Sequence, residues 1–340
     1  MKKKSFLVTG GSGFIGTNFC EMVSKKHNVL NIDKLTYCSV PEKYKKNFKK
    51  NYKFHIVDLV QIRKVYNIIS KNKFDYLVNF ASETHVDRSI ENPRMFIKKN
   101  VDSNLLLIDT IRQLFVEKKL KKNFKFIHIS TDEVYGSKIK PVNENGKLLP
   151  NSPYASSKAS IDLFLRSYGK TYNFPYVICR PSNNFGPYQF PEKLIPTVIS
   201  KILNNKKIPV YGNGENLREW TYVKDTCNAI LNLSLNSKIH EVYNIGSGVR
   251  ISNIKLIKII MNELGIPKKQ LKSHIEFVRD RPGHDISYSL NSKKLEKKLK
   301  FFNFNKKNIE KKLIETVKWY LKNTKWLNYC FQKFDGRRIG

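Results

Sequence analysis

The stretch SFLVTGGSGFIG, Ser5 to Gly16, decides how the chain begins to fold. Ser5–Thr9 reads as a buried parallel strand, and a helix is predicted from near Phe14. Between them Gly11, Gly13 and Gly16 carry a G-x-G-x-x-G spacing, and Gly10, Gly13 and Gly16 a wider G-x-x-G-x-x-G. Small residues in that turn let the backbone approach a pyrophosphate at the N-terminus of the following helix. The glycines alone say little; a strand before and a helix after make the pattern one for a dinucleotide.

Val29–Ile32 is the second predicted strand and ends at Asp33, about 20 residues past the glycines, where a carboxylate can meet the adenosine ribose. An acid there repels a 2′-phosphate and so favours NAD over NADP, although Lys34 beside it softens the preference. Residues 35–52 read as an irregular, basic connection. Phe54–Val57 is a third strand ending at Asp58, which suits an adenine-edge contact and a helix N-cap equally. A helix over Gln61–Ser70 and a strand over Tyr76–Phe80 follow, with Ala81 and Ser82 keeping the next turn small. Thr84, His85, Asp87 and Arg88 are expected on a loop. Thr84 ranks above His85 as a substrate contact, because a lone histidine is more often structural. A helix over Val101–Phe115 and strands over Phe124–Ile129 and Tyr176–Cys179 complete an α/β class, a Rossmann-type doubly wound parallel sheet.

Two chemical kits flank the fifth strand, in HISTDEVYG (128–136) and SPYASSKAS (152–160). Tyr154 and Lys158 share a helix face one turn apart. A fixed ammonium favours the phenolate, so Tyr154 is expected to act as a base nearer neutral pH. Tyr-x-x-x-Lys occurs on many helices by chance and gains meaning only behind a dinucleotide-type N-terminus. Thr131, Asp132 and Glu133 follow an apolar run, where a parallel strand ends and ligands bind. Two adjacent carboxylates beside a hydroxyl can do acid and base work that a simple dehydrogenase does not need.

After Arg180, PSNNFGPYQFPEKLIP is rich in Pro, Asn and Gly and reads as loop. Helices over Ile195–Leu203, Val223–Leu235 and Ile254–Leu264 and strands over Ile208–Tyr211 and Val242–Ile245 are expected to build a smaller α/β substrate-binding domain, partly interleaved with the first. The division is residues 1–180 for the dinucleotide and the catalytic groups, 181–328 for the substrate, and 329–340 as a tail. Arg218, Arg250, Arg279 and Arg281 fall in the second part, and the planar guanidinium suits phosphate oxygens. A last helix places Ile309, Leu313, Val317 and Tyr320 on one core stripe. The helices near 101–116 and 154–170 hold more apolar residues than one sheet face needs, Leu105, Leu106, Leu163 and Phe164 among them. A homodimer through these helices is the expectation.

With 340 residues, 40% of them hydrophobic, the chain can bury a sizeable core. No apolar run reaches the roughly 18 residues of a membrane span, and FLV before Thr9 is too short for an export signal. Five cysteines without CxxC spacing point to reduced thiols in a cytoplasm, and no metal site is expected. The formal net charge of +35 invites a nucleic-acid reading. Its lysines, however, are spread over nearly every helix and loop, without clustered arginine and interleaved aromatics. The charge is read as a solvated surface, with no specific nucleic acid and no membrane as partner.

TGGSGFIG (9–16), the Tyr154–Lys158 pair and VYG after the fifth strand resemble the extended short-chain dehydrogenase/reductase superfamily of NAD-dependent nucleotide-sugar enzymes. Within it, DKLTY (33–37), SETHVDRSI (82–90), STDEVYG (130–136), SNNFGPYQFPEKLIP (182–196), VYNIGS (242–247), RPGHD (281–285) and WYLKNTKW (319–326) resemble the dTDP-glucose 4,6-dehydratase family, over almost the whole chain. Thr131-Asp132-Glu133 is the most specific of these strings.

The resemblance implies a lyase that oxidises C4 of the sugar with NAD, eliminates water across C5 and C6, and returns the hydride to C6. It implies Tyr154 as base for the 4-hydroxyl, Thr131 as hydrogen-bond partner of that oxygen, Glu133 as base at C5 and Asp132 as acid for the departing 6-hydroxyl. Cofactor contacts are implied from Gly10, Gly13, Phe14, Ile15 and Gly16, from Asp33, Lys34, Asp58 and Leu59, and from Ala81, Ser82, Asn100, Tyr154 and Lys158. Substrate contacts are implied from Thr84, His85, Thr131, Asn183, Asn184, Lys193, Leu194, Arg218, Asn253, Arg281 and His284, with Pro209 and Tyr211 near the base. Enzymes that dehydrate UDP-glucose share the Thr-Asp-Glu string, so the nucleotide is left open. A nucleotide-sugar 4-epimerase would need Tyr154 and NAD but give Asp132 and Glu133 nothing to do. A non-catalytic NAD sensor would have no use for the set.

Overall fold

In β1 (Ser5–Thr9), Phe6 and Val8 enter one apolar core and Leu7 another, the alternation a strand buried on both faces must show. The computed structural model describes residues 2–45, 47–48, 50–280, 282–300 and 308–333. From β1 the chain runs through α1 (Phe14–Val23), β2 (Asn28–Asp33), β3 (Tyr52–Ile56), α2 (Ile62–Lys71), β4 (Tyr76–Asn79), α3 (Val86–Glu91), α4 (Pro93–Phe96), α5 (Ser103–Val116), β5 (Lys125–Ile129), α6 (Pro153–Tyr172) and β6 (Tyr176–Pro181). Beyond these lie β7 (Asn183–Phe185), α7 (Leu194–Leu203), β8 (Ile208–Tyr211), β9 (Leu217–Tyr222), α8 (Val223–Asn236), β10 (Glu241–Ile245), β11 (Arg250–Ser252) and α9 (Asn253–Glu263). The described chain closes with α10 (Leu271–His274), β12 (Ile275–Val278), α11 (Lys293–Lys298), α12 (Ile309–Lys322) and α13 (Thr324–Phe331).

Seven parallel strands form the large sheet, in the order β10-β6-β5-β4-β1-β2-β3. The chain winds outward from β1 in both directions, so a crevice opens at the C-terminal ends of β1 and β4. Phe19 and Val23 of α1 and Ile230 and Leu233 of α8 cover one face. Ile69 of α2, Ile111 of α5 and Ile161 of α6 cover the other. The smaller layer has the three-stranded sheet β11-β9-β7 and the pair β12-β8. Val198 of α7, Trp220 of β9, Ile257 of α9 and Val317 and Tyr320 of α12 share its core.

The structure changes four local expectations. The helix and strand expected at 223–235 and 242–245 in the smaller domain are α8, which packs on a face of the large sheet, and β10, which is one of its strands. A strand buried on both faces is only a short apolar run, and nothing in VYNI tells which sheet it joins. Asn183–Phe185, expected as loop, pairs with β9. Asp87 and Arg88 lie in α3, which His85 caps through its Nδ1 on Arg88 N–H. A π-helical stretch, Ile97–Asp102, precedes α5, so the predicted helix start at Val101 falls inside it. Arg281 and residues 334–340 of the expected tail lie outside the described residues.

Candidate active site

Three cavities of about 100, 220 and 160 Å3 open side by side at the C-terminal ends of the strands. The first two share Gly10, Gly13, Phe80 and Ser82 as walls, and the second and third share Glu133, Asn183, Asn184 and Lys193, so they form one cleft.

The glycines build its first part. Gly10 has φ +69°, and a Cβ there would stand 2.6 Å from Ala81 N; a Cβ on Gly16 would stand 2.4 Å from Gly10 O. Gly13 is different: an added Cβ meets nothing nearer than Gly10 O at 3.4 Å. It lines the cleft at the N-terminus of α1, where no side chain caps the helix. Open space, a bare backbone and a helix N-terminus fit the pyrophosphate of a dinucleotide. Phe14, Ile15 and Gly16 line the neighbouring cavity. Asp33 accepts from Ser12 N–H at 3.0 Å and from Leu35 N–H at 2.8 Å. Burial pushes its carboxyl upward, and those two bonds, then Lys45 and Lys34, oppose the shift. Lys34 pairs with Asp58 at 3.4 Å, so its charge is shared with a second carboxylate. Asp58 does not cap α2, whose N-cap is Gln61. Leu59, Ala81 and Ser82 share the first cavity. Asn100 is not on these walls. It is buried behind them, accepting from Glu83 N–H at 2.7 Å and donating to Ser157 Oγ at 3.0 Å.

The central cavity gathers Thr131, Asp132, Glu133, Tyr154 and Lys158. Ser152 starts α6 by accepting from Ala155 N–H at 3.1 Å, with Pro153 at the first position, and this sets Tyr154 and Lys158 on the inner face. Thr131 Oγ1 caps the turn after β5, accepting from Glu133 N–H at 3.3 Å and donating to Asp132 Oδ1 at 3.2 Å. Asp132 is 3% exposed. Burial, then the charges of Glu133 and Glu219, push its carboxyl well above the usual range, against Thr131 and Arg218. Its Oδ2 is buried without a hydrogen-bond partner among the described residues. A carboxyl in that setting holds its proton to higher pH than an exposed one does, and the protonated form can donate.

Tyr154 departs from expectation. Burial, then the charge of Glu133, pushes its phenol upward, while a hydrogen bond with Thr131 pulls the other way. Lys158 lines the same cavity. Its ammonium donates to Ile129 O at 2.5 Å, and burial brings its own pKa down to about 8, with Asp162 opposing. The four-residue spacing places the pair, but desolvation of both groups outweighs the attraction expected between them.

In the third cavity Arg218 and His284 meet, Nη2 to Nε2, at 2.8 Å, and His284 Nδ1 lies 2.5 Å from Asp280 Oδ1. Arg218 is 5% exposed and also donates to Asp285 O at 2.8 Å. Its guanidinium stands 4.7 Å from the ring centre of Tyr288. Leu194, Tyr211 and Asn253 line the same space, and His85 reaches it although it also caps α3. Lys193 donates to Thr84 O at 2.7 Å. Pro209, on β8, is not on these walls. Arg250 turns away to Ile139 O, and Arg279 is exposed.

Sequence reading missed two groups. Glu192, 8% exposed, lines two of the cavities and accepts from Tyr37 OH at 2.6 Å; burial pushes its carboxyl upward. An acid inside the apolar run FPEKLIP was the available signal. Tyr288 donates to Asp285 at 2.5 Å and its hydroxyl oxygen lies 3.5 Å from a carboxylate oxygen of Glu133, 155 positions away, and no local pattern announces that.

Residues 7–308 match the family described as GDP-mannose 4,6 dehydratase. The chain is 38% identical to a dTDP-glucose 4,6-dehydratase of Xanthomonas campestris pv. campestris (strain B100), covering 95% of each. It is similar in structure to a dTDP-glucose 4,6-dehydratase from Streptomyces venezuelae, crystallised with NAD and a second ligand, with a TM-score of 0.83 and 34% identity over 95% of this chain and 98% of that one. The corresponding enzyme of Bacillus anthracis in complex with NAD gives a TM-score of 0.82 and 36% identity over 96% and 99%.

Proposed function

The chain belongs to the GDP-mannose 4,6 dehydratase family, and from that premise we propose that it is a NAD-dependent lyase converting dTDP-glucose to dTDP-4-keto-6-deoxy-glucose. The observation that carries this reading is Asp132, a carboxyl buried beside Glu133 in one cavity with Tyr154, where its surroundings favour the protonated form. An epimerase has no step for such an acid.

NAD, when bound, takes the hydride from C4 of the sugar and gives it back at C6. The backbone at Gly13 and the N-terminus of α1 receive the pyrophosphate, and Asp33 receives the adenosine ribose hydroxyls. Tyr154 takes the proton of the 4-hydroxyl while Thr131 bonds the same oxygen. The C4 ketone acidifies the C5 proton; Glu133 removes it, and Asp132 protonates the departing 6-hydroxyl, so water leaves. Glu133 later returns a proton to C5. Thr131 is hydrogen-bonded to both Tyr154 and Asp132. It therefore gives the proton taken at O4 a way back to Asp132, which the net loss of one water requires. Arg218, oriented by His284, and Lys193 are assigned to the diphosphate, and Tyr211 to the base.

The assembly we assign is a homodimer through α5 and α6. Their inner faces are spent on the sheet, yet Leu163 is 54% and Phe164 38% exposed. A monomer by light scattering at micromolar concentration overturns it. Among the described residues no helix is long and apolar enough to cross a membrane. A cytoplasmic location is assigned on the free cysteines.

Incubation with dTDP-glucose followed by alkali should develop the ultraviolet band of a 4-keto-6-deoxy sugar, and a parallel incubation with UDP-glucose decides the nucleotide. Recovery of the C4 epimer in place of the keto sugar overturns the dehydratase reading.

A further inference from the structure

The basic connection between β2 and β3 sends one lysine inward. The Lys45 side chain is only 1% exposed. Its ammonium donates to Ser12 Oγ at 2.9 Å, to Glu42 Oε1 at 2.5 Å and to Tyr52 OH at 3.2 Å. The ring centres of Phe48, Tyr52 and Phe54 lie 5.7, 5.6 and 5.1 Å from the same nitrogen. All three donors of the ammonium are used and its charge rests among aromatic faces. Burying an ammonium is costly unless it is paired, and Glu42 supplies the pair. A lysine with no role beyond solubility would leave its head in water.

Ser12 is where this lysine meets the dinucleotide turn. It is fully buried between Gly11 and Gly13, and its Oγ also accepts from Asn31 Nδ2 at 3.0 Å. Asn31 Oδ1 in turn accepts from Gly11 N–H at 3.0 Å. The Ser12 N–H donates to Asp33 Oδ2 at 3.0 Å. The ammonium and the Asp33 carboxylate are therefore joined by way of one residue. The charged groups around Asp33 are Lys34, itself paired with Asp58, and Lys45 with its partner Glu42; the buried Cys20 thiol also feels Asp33. Of the side-chain charges that favour ionised Asp33, Lys45 has the larger effect and Lys34 the smaller.

We propose that Lys45 is a positioning residue for the dinucleotide: it braces the glycine turn through Ser12 and sets a caged positive charge behind the Asp33 carboxylate that meets the adenosine ribose. The proposal rests on NAD occupying the cavity between Gly13 and Asp33. Replacing Lys45 should therefore weaken NAD binding and make it more sensitive to acid.

The test is calorimetric titration of NAD into the full chain, parent against Lys45→Met, Lys45→Arg and Ser12→Ala, from about pH 6 to about pH 9. Loss of a charge-assisted bond predicts about tenfold weaker NAD binding for Lys45→Met. Without the ammonium, ionised Asp33 is less favoured, so the pH below which binding fails should rise. Lys45→Arg keeps the charge and should restore that midpoint. Ser12→Ala keeps the charge but loses the bridge, so affinity falls without a shift in midpoint. A merely structural loop residue would weaken binding equally at every pH. A parent that binds no NAD sinks the cofactor reading and this proposal with it. A parent that binds, with Lys45→Met matching it in affinity and midpoint, sinks this proposal alone. Should Lys45→Met fail to fold by circular dichroism, Ser12→Ala decides, and unchanged NAD affinity there overturns the bridge.

Discussion

The turn after β5 and the opening of α6 place an acid and a phenol in the same cavity, and burial serves one while opposing the other. In the proposed reaction Asp132 gives up a proton, and desolvation favours the protonated form it starts from. Tyr154 is proposed to accept one, and desolvation together with Glu133 makes its anion harder to form. Lys158, the group expected to help, is itself pushed toward neutrality, with a pKa of about 8. Burial thus favours the protonated form from which the proposed acid starts and disfavours the anion from which the proposed base starts. Burial has no chemical preference of its own; it penalises whichever form is charged.

Three measurements break or sharpen that contrast. The largest effect is expected from Tyr154→Phe, which removes the proposed base of the first step. Turnover of dTDP-glucose should fall by about 10³–10⁴, with no reduced-nicotinamide absorbance on mixing. Retention of more than about a tenth of the parent rate would show that another group accepts the proton.

Asp132→Asn comes next, because the amide keeps the shape and loses the acid. C4 oxidation should proceed and reduced-nicotinamide absorbance accumulate, while release of keto sugar slows by about 10²–10³. If the variant dehydrates at the parent rate, or cannot reduce NAD at all, the division of labour between turn and helix is wrong.

The smallest effect is on stability, in the same variant without substrate. Asp132 has its folded pKa above its unfolded one, so its contribution to stability is complete below the ordinary carboxylate range and is lost as pH rises through the raised value. Asparagine has no such loss. Asp132→Asn should melt ~2–4 °C above the parent at about pH 8 and level with it near pH 4. A variant that melts lower at about pH 8 would mean that the carboxylate is better accommodated than its burial implies.

Much of the site is legible in the sequence, and for one reason. The glycine turn, Asp33 at the end of β2, the Thr131–Glu133 string and the Tyr154–Lys158 pair are each short-range, set by backbone geometry over a few residues. Asn100 shows the limit: it was expected at the cofactor, yet its hydrogen bonds spend it on Glu83 and Ser157 behind the cleft. The strand at 242–245 is legible, but its place in the large sheet is not, because β10 pairs with β6 across intervening helices and short strands. Glu219 was unremarked in the sequence, but it is fully buried and raises Asp132 while accepting from Gly248 and Leu290 N–H at 2.8 Å.

What the sequence determined by itself is the placement of chemical groups along the chain: which turn must hold glycine, which helix face carries Tyr154 and Lys158, which two acids stand side by side. Steric and hydrogen-bond periodicities decide these within one or two turns of backbone. Only the tertiary structure decided the shifts in their proton affinities. Those depend on lost water and on groups such as Glu219 and Arg218, more than 80 residues from the carboxyl they act on. Desolvation and Coulomb interactions act across space, not along the chain, so only the folded chain shows both Asp132 and Tyr154 raised, chiefly by burial and by Glu133.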